Sequence, residues 1–378
     1  MPSEKIIKIG QNTVLILASI TFSLVIAEVA LRLTNIGKYS LYNRILFFTK
    51  PSLVQGKNQT VKYEPKTKIR SIAIYGDEVD YDIVYGTNNL GFVDNVDYDF
   101  SAATTKKVVF VGDSFTAGDG GEQPWVSQLR QELGQSNTEL YNFGVTGTGI
   151  QHFQLLLESV KDMAHFDEIN IMVIGNDFFR SLWYPFIQDQ ALWFCQQENT
   201  KDCVENYPPV IYIADQNASQ KELIDRANQL YQAKNSTDQT KLNLLQRLRL
   251  YNLLCDLYSL GKNQAPLINF CPHLKFNQAN KYDKNELYQN GLATLRKIKN
   301  SFPNAVIRVV HIPEKGETFN NKYSLEIGDD IKQIGLEYVP LLEVCNWSRQ
   351  MYHKHDAHFN DLGYQNLTNC LLENLAKM

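Results

Sequence analysis

The sequence lacks several features that would assign its class directly. It has no CxxC pair, and its six cysteines (Cys195, Cys203, Cys255, Cys271, Cys345 and Cys370) form no His/Cys cluster with zinc spacing, which argues against a structural zinc site. It has no basic excess: 37 Lys and Arg against 41 Asp and Glu give a net charge of −4, without the electrostatic footprint of a nucleic-acid binder. It contains no internal repeat and no low-complexity tract, which excludes repeat arrays and biased disordered tails. Apolar and charged fractions of 44% and 21% are ordinary for a folded chain, and 378 residues suffice for one large domain or two smaller ones.

Long hydrophobic runs are equally scarce, with one exception. After a polar tail at residues 1–12, "TVLILASITFSLVIAEVALRL" (13–33) carries no charge until Glu28. Thr13 to Leu31 is about 19 residues, long enough to cross a hydrocarbon core as a helix. Glu28 and Arg32 stand four apart and share a helical face, so they are placed to pair. A secretory signal peptide is the rival reading, with Lys5 and Lys8 as its charged start and Val25 and Ala27 flanking a cleavage site. The apolar stretch continues past Glu28, which favours an anchor. Arg32, Lys38 and Arg44 offset Lys5 and Lys8, so counting positive charges selects no side of the membrane. An even number of cysteines suits disulfides outside the cytoplasm, with Cys195–Cys203 and Cys255–Cys271 as candidate pairs; six separate buried thiols are the alternative. The expectation is a single-pass membrane protein with its main domain outside the cytoplasm.

Residues 34–105 read as a juxtamembrane region with short alternating runs such as "SIAIYG" and "YDIVYG". From 106 onward strands and helices alternate. "KKVVFVG" is a continuous apolar run, as expected of a strand covered on both faces. A helix ending near Gly134, the strand "TELYNFGV", a helix over 148–165 and the strand "EINIMVIG" follow. Later come a helix at 285–301, the strand "AVIRVVHI", a helix near 321–334, the strand "LEYVPLL" and a last helix from Asp361 to about Ala376. Five strands with intervening helices predict an α/β domain over 106–378, a parallel sheet with helices on both faces. Residues 180–283 are too long for a loop and read as an inserted helical subdomain, with helices at 219–233 and 238–259.

Four pieces at the carboxyl ends of these strands carry chemistry-bearing residues. The first strand delivers Gly112-Asp113-Ser114 to the crevice where open α/β sheets bind ligands. The second ends in "NFGVTGTG", whose glycines permit close backbone approach and whose Gly144 N–H is a candidate oxyanion donor. The third ends in "GNDFF", where the Asn176 amide is a second candidate donor. The fourth, "HKHDAHFNDLGY", sets Asp356 beside His358, with His353 and His355 close by. A serine hydroxyl needs a base, and an imidazole needs an acceptor to fix its tautomer. A metal is the competing reading of the His/Asp cluster, but the other three pieces supply no matching ligands.

In order and together, Ser114 in "GDSF", Gly144 in "NFGVTG", Asn176 in "GND" and His358 in "HDAHFN" resemble the four blocks of the SGNH hydrolases, the GDSL-like lipase/esterase family. Phe115 stands where the signature has leucine, a position expected to face the core. The family's usual acid position, three before the histidine, is His355 here, and the carboxylate is Asp356, two before it; that spacing also looks like some acetyltransferase relatives.

The resemblance implies a flavodoxin-like three-layer sandwich and acyl transfer without metal or organic cofactor. Ser114 would be the nucleophile, His358 the base and Asp356 its orienting acid. Ser114 N–H, Gly144 N–H and Asn176 would form the oxyanion hole. It implies an acyl ester or O-acylated glycan as substrate. Water as acceptor gives an esterase; a hydroxyl of a cell-surface polysaccharide gives an O-acyltransferase. A catalytically inactive, membrane-tethered binding or assembly protein is the alternative from another class.

Overall fold

The apolar segment at the amino terminus forms one helix, α1 (Pro2–Leu33), within a computed structural model. The structure describes residues 2–33, 44–49, 53–55, 60–101, 105–134, 137–180, 184–188, 190–195, 211–239, 250, 253 and 283–375. The chain divides into two units. One comprises Met1–Arg44, Tyr75–Asp77 and Ile224–Gln278; the other comprises Ile45–Ile74, Glu78–Leu223 and Ala279–Met378. In the first unit, Asn12–Leu33 has a mean hydropathy of 2.4 and is long and apolar enough to cross a membrane, a test that a signal sequence also passes. The expected ion pair forms: Arg32 Nε donates to Glu28 Oε1 at 2.8 Å, and Glu28 Oε2 also accepts from the Leu250 N–H at 3.0 Å.

The second unit begins with β1 (Arg44–Thr49), β2 (Leu53–Gln55), β3 (Val61–Tyr63), β4 (Lys68–Tyr75) and β5 (Glu78–Gly86). The predicted α/β alternation follows as β6 (Lys106–Gly112), α2 (Ser114–Ala117), α3 (Trp125–Leu133), β7 (Thr138–Gly144), α4 (Ile150–Val160) and β8 (Glu168–Val173). The insertion contributes β9 (Tyr184–Gln188), β10 (Ala191–Cys195), β11 (Ile211–Ala214) and α5 (Gln220–Gln239), the last belonging to the first unit from Ile224 onward. The chain closes with α6 (Lys284–Ser301), β12 (Val306–His311), α7 (Lys315–Asn320), α8 (Gly328–Gln333), β13 (Glu337–Pro340), α9 (Leu341–Val344) and α10 (Asp361–Leu375).

The expected five-stranded sheet forms in the order β13-β12-β8-β6-β7, and every neighbouring pair is parallel. Numbered along this sheet the order is 2-1-3-4-5, the flavodoxin-like arrangement. Its switch point lies at β6, flanked by the second and third strands, and β6 ends at the GDS tripeptide. Val109, Phe110 and Val111 are fully buried because helices cover both faces. Under α3 and α10 the core packs Phe110 edge-on to Trp125 at 5.1 Å, with Leu367 and Leu371 closing over it.

Three expectations change. The insertion is not purely helical: β9, β10 and β11 join β1, β4 and β5 in a second six-stranded sheet, ordered β5-β4-β1-β11-β10-β9. The helix expected over 321–334 is broken, because Asn321 (φ +46°) ends α7 in a left-handed cap and α8 starts only at Gly328. A disulfide joins Cys345 to Cys370, a pairing absent from the two candidates. Cys203, Cys255, Cys271 and the Cys195 side chain lie outside the described residues, as do the side chains of 181–189 and most of the helix expected over 238–259.

Candidate active site

Strand β6 places Ser114 at the carboxyl end of the sheet, and the local sequence turns it inward. Asp113 caps α2 by accepting the Phe115 N–H at 3.0 Å, so Ser114 is the first residue of that short helix. Ser114 is 5% exposed, and its own N–H has no protein partner among the described residues. Phe115 turns the other way into the core, as expected, packing on the His358 ring at 5.0 Å and edge-on to Phe359 at 5.2 Å.

The segment before α10 brings the acid and the base to that serine. His358 Nε2 lies 2.8 Å from Ser114 Oγ, and its Nδ1 lies 2.5 Å from Asp356 Oδ1. Asp356 Oδ1 also accepts the His358 backbone N–H at 3.0 Å, which fixes the carboxylate against the ring's own residue. Ser114, His358 and Asp356 are all buried. A hydroxyl, an imidazole and a carboxylate in that sequence can move a proton from Ser114 Oγ while the developing imidazolium is stabilised.

The neighbouring histidines are otherwise engaged. His355 Nε2 pairs with Glu78 Oε2 at 2.9 Å, and His353 Nε2 meets the Gly120 carbonyl at 2.8 Å. The carboxylate on His358 is therefore Asp356, and the family's usual acid position is turned away. His152 and His311 are buried elsewhere, each pulled down to about 3 by burial and hence neutral.

The second block differs from expectation. Gly144 N–H donates to Asn142 Oδ1 at 2.9 Å, so this amide is already satisfied within the protein. Gly144 is required for close approach of α2 rather than of a ligand: a Cβ there would stand 2.0 Å from the Ala117 nitrogen. Along the same turn, Val145 N–H donates to the Gly112 carbonyl at 3.0 Å and Thr146 N–H to Tyr63 Oη at 3.2 Å. Gly147 (φ +73°) is the first amide of the turn without a protein partner among the described residues. The sequence signal was present, since Gly147 is the second glycine of the same "NFGVTG" block. Asn176, in the short helical turn Gly175–Phe179 that follows β8, is exposed and its side-chain amide makes no hydrogen bond among the described residues.

Two groups that sequence reading missed stand at this end of the sheet. Arg180 Nη1 donates to Asp113 Oδ2 at 2.9 Å, to Asp177 Oδ1 at 3.1 Å and to the Thr148 carbonyl at 3.1 Å, tying together the ends of three strands. Gly149 makes room for this side chain, since a Cβ would meet Arg180 Cβ at 2.6 Å. Burial and the charge of Asp113 hold the Asp177 carboxyl well above the usual range, while Arg180 pulls it down. Burial opposes the Arg180 charge, but Asp177 and Asp113 outweigh it. Glu314, just past β12, is raised to about 7 by burial and by Glu317, while Arg180 pulls it down. Its position after the fourth strand was the available signal.

Residues 108–371 match the family described as GDSL-like Lipase/Acylhydrolase. Similar solved structures include the lipase/acylhydrolase from Enterococcus faecalis, at 10% identity and a TM-score of 0.34, covering 72% of this chain and 96% of that one. TesA is similar at 11% identity and a TM-score of 0.35, covering 72% and 99%. The acetyl xylan esterase Est2A from the rumen bacterium Butyrivibrio proteoclasticus is similar at 13% identity and a TM-score of 0.31, covering 82% and 75%. Comparison with curated proteins finds no match.

Proposed function

The chain belongs to the GDSL-like lipase/acylhydrolase family, and on that premise we propose that it cleaves an acyl ester, or an O-acyl group on a glycan, outside the cytoplasm with Ser114 as nucleophile. The observation that carries this reading is the hydrogen-bonded line Ser114 Oγ, His358, Asp356, at 2.8 and 2.5 Å. Ser114 Oγ attacks the ester carbonyl as His358 Nε2 takes its proton; His358 then returns the proton to the leaving alcohol. Water, deprotonated by the same imidazole, releases the acid and regenerates the serine. Asp356 holds the Nδ1 proton and offsets the charge on the ring.

The negative charge that develops on the carbonyl oxygen needs donors that no protein acceptor occupies. Ser114 N–H, Gly147 N–H and the Asn176 amide meet that condition among the described residues; Gly144 N–H does not. Each such donor is worth about 100- to 1000-fold in rate. An extracytoplasmic site is supported by the apolar α1 and by the Cys345–Cys370 disulfide, a bond that persists in oxidising compartments. The test is Ser114→Ala in the full chain against a panel of short- and long-chain esters and acetylated glycans, with product analysis. Loss of turnover with unchanged folding is expected. Near-normal turnover in that variant would refute the mechanism.

A further inference from the structure

The backbone that carries the acid is gripped from two directions. Asp80, on the edge strand β5, accepts both the His355 N–H at 3.0 Å and the Asp356 N–H at 2.6 Å on a single oxygen, Oδ2. On the other side Lys315, the first residue of α7, donates from Nζ to the carbonyls of His353 at 2.6 Å, Lys354 at 2.9 Å and Asp356 at 3.4 Å. The His355 and Asp356 N–H groups thus go to a carboxylate, and the His353, Lys354 and Asp356 carbonyls to an ammonium. No regular secondary structure satisfies these groups, since residues 353–358 lie between the Arg349–Met351 turn and α10.

We propose that Asp80 and Lys315 are positioning residues that clamp the 353–356 backbone and thereby seat the Asp356 carboxylate on His358. This rests on the reading of Ser114, His358 and Asp356 as the catalytic residues. Asp80 lies outside the matched residues 108–371, so the amino-terminal sheet is a working part of the active site. Strand β5 reinforces the contact. Glu78 Oε2 pairs with Lys354 Nζ and His355 Nε2, the Tyr81 ring packs on His353 at 4.9 Å, and Tyr85 Oη accepts the Gly120 N–H at 2.7 Å. The exposed Lys354–Glu78 pair contributes little by itself. Asp80 differs because its partners are two consecutive amides, one of them the acid's own, and a charge-assisted bond to a backbone amide fixes position as well as energy. Without it the carboxylate is free to shift, and a displacement of about 1 Å at such a group costs up to about 100-fold in rate.

The experiment compares Asp80→Ala, Asp80→Asn and Lys315→Met in the full chain, with circular dichroism as the folding control. Two readouts are followed: kcat against KM for an ester substrate, and the far-downfield proton NMR signal of the His358 Nδ1 proton. Asp80→Ala and Lys315→Met are expected to lower kcat about 10- to 100-fold with KM unchanged and to lose the downfield signal. Asp80→Asn keeps an oxygen acceptor for both amides and is expected to retain the signal and most of kcat. Wild-type kcat and signal in Asp80→Ala, or equal loss in Asp80→Ala and Asp80→Asn, would overturn the clamp. If Asp80→Ala fails to fold, Lys315→Met decides the same question from the opposite jaw. A wild-type protein that turns over no ester strikes the hydrolase reading alone, and the proton signal in the variants then decides the clamp.

Discussion

Arg180→Met removes the guanidinium that pairs with Asp113 and Asp177 while keeping a side chain of similar length. The guanidinium is 19% exposed at its side chain, and the two carboxylates are about fully buried, at 1% and 0%. Removing one partner of a buried ion pair costs about 3–5 kcal/mol, because the remaining charge is left uncompensated. Here two like charges would remain, so the protein's cheapest response is to protonate Asp177, which burial already holds above the usual carboxylate range. The sign follows from proton counting. Where the folded carboxyl binds more protons than the unfolded one, stability falls as pH rises from the unfolded value near 3.8 through the raised folded value. Arg180→Met steepens that fall and extends it to higher pH. Urea unfolding of both proteins at pH 5 and pH 8 measures the effect. The variant is expected to lose several kcal/mol at pH 8 and distinctly less at pH 5. A loss that is equal at the two pH values, or below about 1 kcal/mol at pH 8, would refute the account of this buried triad.

Asp356→Asn should lower turnover by about four orders of magnitude by favouring the wrong His358 tautomer, whereas His355→Ala should change it little; steady-state kinetics of the two variants ranks them, and the reverse order would reassign the acid. Removing the Cys345–Cys370 bond by a double serine substitution should destabilise the protein. The bond spans a sequence separation of 25, for which loop-closure entropy gives about 3.5 kcal/mol, to be read as a lower urea midpoint relative to the oxidised protein. Dithiothreitol should lower the midpoint of the wild-type protein by more than that of the double variant.

What the sequence made legible is what depends on local pattern. The uninterrupted apolar run of β6 and the strand-helix alternation after it announced a doubly covered parallel sheet, and Ser114 and Asn176 were recognisable by standing just past a strand. The second sheet was not legible, because β1 pairs with β11 across the chain, Phe47 opposite Tyr212, and no local periodicity reports such a partner. The strands of the insertion are four or five residues long beside a strongly helical stretch, so composition pointed to helix. At Gly144 the block motif was visible but the donor was not. Whether an amide is free depends on where the side chain two residues earlier folds back, and Asn142 folds back onto it. Cys345–Cys370 was missed for the related reason that tertiary packing of α9 against α10, rather than nearness in sequence, brings the two together. Asp80 belongs to the same class: an unremarkable acidic residue in an alternating strand acquires its role only through the segment that lands on it.

The most direct test of the central claim is covalent trapping by a fluorophosphonate, with the modified residue located by peptide mass spectrometry. The line from Ser114 Oγ through His358 to Asp356 predicts a single adduct on Ser114, formed rapidly in the wild-type protein, greatly slowed in His358→Ala and absent in Ser114→Ala. A folded wild-type protein left unmodified, or an adduct on a different residue, would contradict it.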